Sequence, residues 1–233
     1  MIFAANFKMN HTRRTTEEWL SEVQSRVEEK GFADALYCFP PATALMPSTS
    51  RITVGAQNAY PARKGAYTGE IGLEQLEEFG IRTLLIGHSE RRELLGEEQE
   101  TVAEKFRFFA EQGFEILYCV GEPMEVRQEG TEAIFEYLWE EFVGIDLAYE
   151  KLIVAYEPIW AIGTGRSATA EEIAGVHAEL RRRIKGPLLY GGSVNPDNIA
   201  AIAAIDNVDG VLVGSASLKP ESFVALIERS RCG

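Results

Sequence analysis

The chain has 233 residues, 45% hydrophobic and 25% charged, and a formal net charge of −13. That is enough chain for a large core, and it is too acidic for a nucleic-acid binder, which needs a basic face. Three cysteines, Cys38, Cys119 and Cys232, odd in number and without C-x-x-C, argue against a disulfide framework or zinc site and for a reducing, cytoplasmic setting.

The opening M-I-F-A-A-N-F-K has no basic segment followed by a long apolar one, so no signal peptide is expected, and no apolar run approaches the roughly 20 residues of a membrane helix. Charges further apart than about 8 Å are largely screened at physiological salt, so an anionic ligand would have to be held by local donors rather than by net charge.

Apolar runs rich in Val, Ile, Leu and Tyr then recur in chain order. They fall at 2–7 (IFAANF), 35–39 (ALYCF), 52–57 (ITVGAQ), 83–87 (TLLIG), 116–120 (ILYCV), 152–156 (LIVAY), 188–190 (LLY) and 210–213 (GVLV). Amphipathic stretches separate most of them. The clearest are 97–112 and 169–185, the second opening on Thr169 and Glu172 at capping-box spacing and ending in basic residues that suit a helix dipole. Alternating strands and helices imply a parallel sheet. Eight units at about 29 residues each suit a closed (β/α)8 barrel, an α/β fold in one domain over residues 1–233. The rival, an open doubly wound sheet, would show G-x-G-x-x-G after the first strand, and the sequence has none.

A barrel places its chemistry at the C-terminal ends of its strands. Asn6 and Lys8 follow the first strand, two apart and so expected on one inward face. His88 follows the fourth, ahead of a helix opened by Ser89, whose positive end disfavours an imidazolium. Glu157 follows the sixth, held extended by Pro158 and succeeded by the apolar, glycine-bearing I-W-A-I-G-T-G, a candidate lid over a base. Y-G-G-S-V-N-P (190–196) and V-G-S-A-S-L (213–218) follow the seventh and eighth, where barrels often bind phosphate through backbone N–H groups. Taken singly, each has a plainer reading: a solvated lysine, a packed histidine, a glutamate in a connection, two ordinary turns. Together they supply a base, a neutral donor, a cation and a phosphate cradle, with no metal cluster and no cofactor motif. Such a set suits proton abstraction beside the carbonyl of a small phosphorylated sugar.

The chain resembles the triosephosphate isomerase family over essentially its whole length. The matching stretches are NFKMN (6–10), GAQNAY (55–60), GAYTGE (65–70), GHSERR (87–92), CVGE (119–122), AYEPIWAIGTG (155–165), YGGSV (190–194) and VDGVLVGSASLKPE (208–221). The resemblance implies a TIM barrel that interconverts dihydroxyacetone phosphate and glyceraldehyde 3-phosphate without metal or cofactor, in glycolysis and gluconeogenesis. By it, Glu157 is the base and His88 the neutral electrophile. Lys8 and Asn6 stabilise negative charge, with Glu90 supporting Lys8. The lid is 158–168, with Gly163 on the phosphate, Tyr190 and Ser193 holding it closed, and Ser193, Gly214 and Ser215 offering backbone N–H groups. Thr68, on the loop 65–70, enters a partner subunit near Lys8, which implies a homodimer. The chain departs from the family pattern at Phe7, usually tryptophan, and at Ser215, usually a second glycine, which would be strained if that position needs positive φ. A catalytically silent sugar-phosphate sensor, a surface interaction protein and an isomerase of other phosphorylated sugars are the competing functions.

Overall fold

The structure, a computed structural model, describes residues 1–162 and 167–232. Eight parallel strands run in the order β3-β2-β1-β8-β7-β6-β5-β4. They are β1 (Ile2–Asn6), β2 (Ala35–Phe39), β3 (Ile52–Val54), β4 (Thr83–Ile86), β5 (Glu115–Val120), β6 (Leu152–Tyr156), β7 (Leu188–Tyr190) and β8 (Gly210–Val213). The remaining gap, between β3 and β4, is closed by one residue. Ala56 N–H donates to Thr83 O at 3.0 Å, and Ala56 O accepts from Leu85 N–H at 2.9 Å. The sheet therefore has no free edge, and all eight strand C-termini lie on one rim.

The strands are apolar along nearly their whole length because both faces are buried. Alternate residues turn inward, so Ala4, Leu85, Leu117, Ile153, Leu189 and Leu212 fill the barrel. Their neighbours Phe3, Leu84, Ile116, Val154, Leu188 and Val211 face the surrounding helices. Those helices are α1 (Arg13–Glu29), α2 (Leu73–Glu78), α3 (Ser89–Leu95), α4 (Gln99–Glu111), α5 (Met124–Glu129), α6 (Thr131–Glu140), α7 (Ala170–Arg181), α8 (Ile199–Ala203) and α9 (Pro220–Arg229). Phe7 is fully buried and packs edge-on against Trp19, ring centroids 5.0 Å apart.

Two helices are shorter than their sequence patterns. The expected helix at 97–112 begins at Gln99, because Glu97 turns inward to meet Lys105 and Arg91 instead of continuing the helix. The expected helix at 169–185 carries its capping box but stops at Arg181, whose guanidinium donates to Gly186 O at 2.7 Å just ahead of Pro187.

Glu97 and Lys105 are 9% and 4% exposed, and Lys105 also donates to Asn58 Oδ1 at 2.8 Å. Arg91 joins them through Nε, 3.0 Å from Glu97 Oε1, so this buried cluster anchors the helix that follows His88. Breaking such a pair leaves an uncompensated charge, and Arg91 offsets only part of it. Lys105→Met is expected to cost about 3 kcal/mol, lowering Tm by about 10 °C for a chain of this size. Thermal unfolding followed by circular dichroism checks it, and a shift under about 2 °C contradicts it.

Candidate active site

An open cleft of about 780 Å³ lies at the C-terminal rim, and Asn6, Lys8, His88, Glu157, Ser193, Gly214 and Ser215 all line it. They arrive from β1, β4, β6, β7 and β8, as the strand-end reading expects.

Lys8 arrives differently from that reading. The strand ends at Asn6, and Lys8 sits in the left-handed region at φ 51°, a conformation that costs roughly 1–3 kcal/mol in a non-glycine residue. Three bonds impose it. Lys8 N–H donates to Asn6 Oδ1 at 3.0 Å, and the Gln57 amide donates at 2.8 Å to both Lys8 O and Phe39 O. The ammonium is 2.6 Å from Glu90 Oε1. It also lies against Gly214, where a Cβ would stand 3.8 Å from Nζ, so the cation borders the turn after β8.

His88 is itself the N-cap of α3, and its Nδ1 accepts the Glu90 N–H at 3.1 Å. Its Nε2 is 3.0 Å from Glu157 Oε1. A ring that accepts at Nδ1 and donates at Nε2 is neutral, which assigns the tautomer. Burial pushes the imidazole pKa down, while the Glu157 charge pushes it up and prevails in this arrangement. The Glu90 N–H aimed into Nδ1 opposes that charge effect.

Glu157 is 2% exposed. Its Oε2 accepts the Ser89 N–H at 3.0 Å, so both carboxylate oxygens are engaged. Burial raises its pKa, but His88, the Ser89 N–H and Lys8 outweigh burial and hold the carboxyl below its ordinary range. The glutamate is packed on two glycines. A Cβ on Gly121 would lie 1.7 Å from its carbonyl oxygen, and one on Gly191 would lie 2.9 Å from its Cγ.

Comparison with known proteins identifies the family. The family model described as triosephosphate isomerase matches residues 1–230. The chain is 60% identical over 227 residues to the triosephosphate isomerase of Sulfurovum sp. (strain NBC37-1), covering 97% of this chain and 99% of that one. It is 52% identical over 228 residues to that of Sulfurimonas denitrificans, covering 98% and 95%. With the protein of the same name from Helicobacter hepaticus it shares 51% identity over 233 residues, covering 99% of each. The chain belongs to the triosephosphate isomerase family.

As a member of that family it is an isomerase. Ser215 opens a single 3-10 turn (Ser215–Ser217), is exposed, and is not among the described residues with positive φ, so serine brings no backbone strain there. Ser193 Oγ donates to Ala161 O at 2.8 Å, tying the seventh loop to the segment after Glu157. Tyr190 is buried at the end of β7 with its hydroxyl against Gly192, where a Cβ would come within 2.3 Å of it. Burial pushes this phenol up to about 12, and the Ala168 backbone partly offsets it. Gly163 lies outside the described residues. Thr68 is exposed in the run 63–70, away from its own chain's cleft.

Two contributors escaped the strand-end reading. Gln57 braces Lys8 from a residue whose own side chain looks unremarkable in sequence. Glu122, fully buried, accepts from Tyr156 Oη at 3.0 Å, Trp160 Nε1 at 2.9 Å and Arg127 Nη1 at 3.0 Å. Its position two residues past β5 was the available signal. Among the described residues, no group of three or more His, Cys, Asp or Glu is placed to hold a metal ion, and no helix is long and apolar enough to cross a membrane.

A carboxyl whose folded pKa is depressed adds stability above its unfolded pKa, and that stability is lost as pH falls through the folded value. The gap in unfolding free energy between the wild type and Glu157→Gln should therefore narrow in favour of the variant between pH 6 and pH 3.5. Urea unfolding at the two pH values checks the sign, and a change the other way contradicts it.

Proposed function

We propose that the chain interconverts dihydroxyacetone phosphate and D-glyceraldehyde 3-phosphate through an enediolate. The observation that carries this reading is a buried carboxylate, Glu157, 3.0 Å from a His88 Nε2 whose other nitrogen accepts a backbone N–H. Family membership supports the substrate.

Substrate binding exchanges one set of hydrogen bonds for another. The carbonyl oxygen takes the Nε2–H that Glu157 holds in the free enzyme, which releases one carboxylate oxygen. Glu157 removes a proton from carbon 1 of the ketone, and the electron pair moves onto the carbonyl oxygen. The resulting enediolate charge is met by the neutral His88 donor, the Lys8 ammonium and the Asn6 amide, groups fixed before the reaction and therefore needing no reorganisation. The proton on Glu157 then returns to carbon 2, while a hydroxyl proton leaves oxygen 1 and one is gained at oxygen 2, completing the aldehyde. Atoms and electrons balance within the substrate, so the reaction needs no metal or cofactor.

The phosphate is read into the backbone N–H groups of Ser193, Gly214 and Ser215, with Gly163 added when the lid 158–168 closes and Tyr190 and Ser193 hold it. Closure expels water and raises the basicity of Glu157 above its free-enzyme value. Glycolysis and gluconeogenesis in the cytoplasm are the setting this reaction fits.

We further infer a homodimer. Met9, Tyr67, Leu94 and Leu95 are 95%, 45%, 77% and 67% exposed. A second cavity of about 370 Å³ is rimmed by Met9 and Leu95 and shares Asn6 and Lys8 with the active-site cleft. The exposed loop 65–70 of a second copy fits that cavity, bringing Thr68 toward Lys8.

Glu157→Asp retracts the base by one methylene, about 1 Å, and should lower kcat about 100-fold with KM changed only a few-fold. Steady-state isomerisation of glyceraldehyde 3-phosphate checks it, and an unchanged kcat removes Glu157 from this role. The wild type should sediment at twice the 25.9 kDa chain mass. Leu95→Lys should shift it toward monomer with loss of turnover, and a wild-type monomer with full activity would contradict the dimer.

A further inference from the structure

A buried ion pair behind the cleft, Glu141–Arg92, plays no part in the proposed mechanism. Glu141 caps the C-terminus of α6, on the helix side of the barrel. It is 7% exposed, and its Oε2 accepts the Gly121 N–H at 2.8 Å. Its Oε1 lies 3.3 Å from Arg92 Nε. Arg92 in turn donates from Nε to Gly87 O at 2.9 Å, from Nη2 to Tyr118 Oη at 3.1 Å, and from Nη1 to Gln99 Oε1 at 2.8 Å. Tyr118 Oη closes the ring by donating to the Glu141 carbonyl.

Both backbone atoms gripped by this cluster belong to the active site's floor. Gly87 O precedes His88 directly, and Gly87 is at φ 74° with so little room that a Cβ would meet Arg92 Nη2 at 2.9 Å. Gly121 is the residue on which the Glu157 backbone rests at van der Waals contact. Their strands, β4 and β5, are neighbours in the barrel, so one Glu–Arg pair ties the support of the electrophile to the support of the base.

We propose that Glu141 is a positioning residue for the isomerisation: with Arg92, it fixes the spacing between the His88 turn and the backbone beneath Glu157. This rests on the roles given above to those two residues. Burial pushes the Glu141 carboxyl up to about 7, with the charges of Glu157 and Glu122 adding to the rise and with Arg92 and the Gly121 N–H pulling it down.

The test compares Glu141→Gln and Glu141→Leu with the wild type. Glutamine keeps the shape and one acceptor for two donors; leucine keeps neither acceptor. The expected result is a graded loss of kcat, several-fold for Gln and 10- to 100-fold for Leu, with KM within two-fold, because a misplaced base or electrophile slows the chemical step while the phosphate cradle on β7 and β8 is untouched. In parallel, ¹⁵N–¹H spectra of the ligand-free variants should move the His88 ring resonances and leave those of His11 and His177 in place.

Variants that only lose Tm, with kcat per folded molecule within two-fold of the wild type and unmoved His88 resonances, would overturn the proposal, as would a loss confined to KM. If Leu does not fold, Gln alone decides. Failure of the wild type to isomerise triose phosphates would count against the function, whereas the histidine spectra would still judge Glu141.

Discussion

A carboxylate that is 2% exposed stays ionised here because His88, the Ser89 N–H and Lys8 all face it. The rest of the structure serves that contact. Desolvation alone would protonate Glu157 and disable it in the proposed role of base. The three compensating groups come from β1 and from the β4–α3 junction, whereas Glu157 comes from β6, and only a closed parallel barrel brings those strand ends to one rim. The single Ala56 bridge that completes the cylinder is therefore part of the site's construction.

The net charge of −13 makes the same point from a different direction. An acidic chain that handles an anionic substrate must concentrate positive potential locally. The residue proposed to supply it is a strained lysine. Lys8 is held at positive φ by Asn6 and Gln57, and its ammonium is aimed between Glu90 and Gly214. Glu90 fixes the ammonium without burying it, so the charge remains available at the cleft.

The eight strands were legible in the sequence because strands buried on both faces read as short apolar runs, and each run matches an observed strand to within a few residues. The placement of His88, Glu157 and the two glycine turns around one cleft was legible because all the strand ends of a parallel barrel meet at one rim. Lys8 was found for an incomplete reason: alternation along a strand suggested its direction, whereas a left-handed backbone sets it. Backbone φ imposed by Asn6 and Gln57 leaves no pattern in a linear sequence. Gln57 reaches Lys8, Glu122 reaches Tyr156 and Trp160, and Glu141 reaches Gly121 and Arg92, all 20 to 49 residues away in the chain, and their identity as ordinary polar residues carries no mark of that. The helix boundaries failed where tertiary contacts overrode pattern, at Glu97 and at Arg181.

Proton transfer by Glu157 through an enediolate is the central claim, and isotope exchange tests it most directly. Isomerisation of glyceraldehyde 3-phosphate by the purified chain would be run in deuterium oxide, with no added metal or cofactor, and the product examined by NMR. A proton carried on a carboxylate exchanges with solvent, so deuterium is expected at carbon 1 of the dihydroxyacetone phosphate formed. Turnover that leaves that carbon wholly unlabelled would mean direct hydride migration and would contradict the role of Glu157.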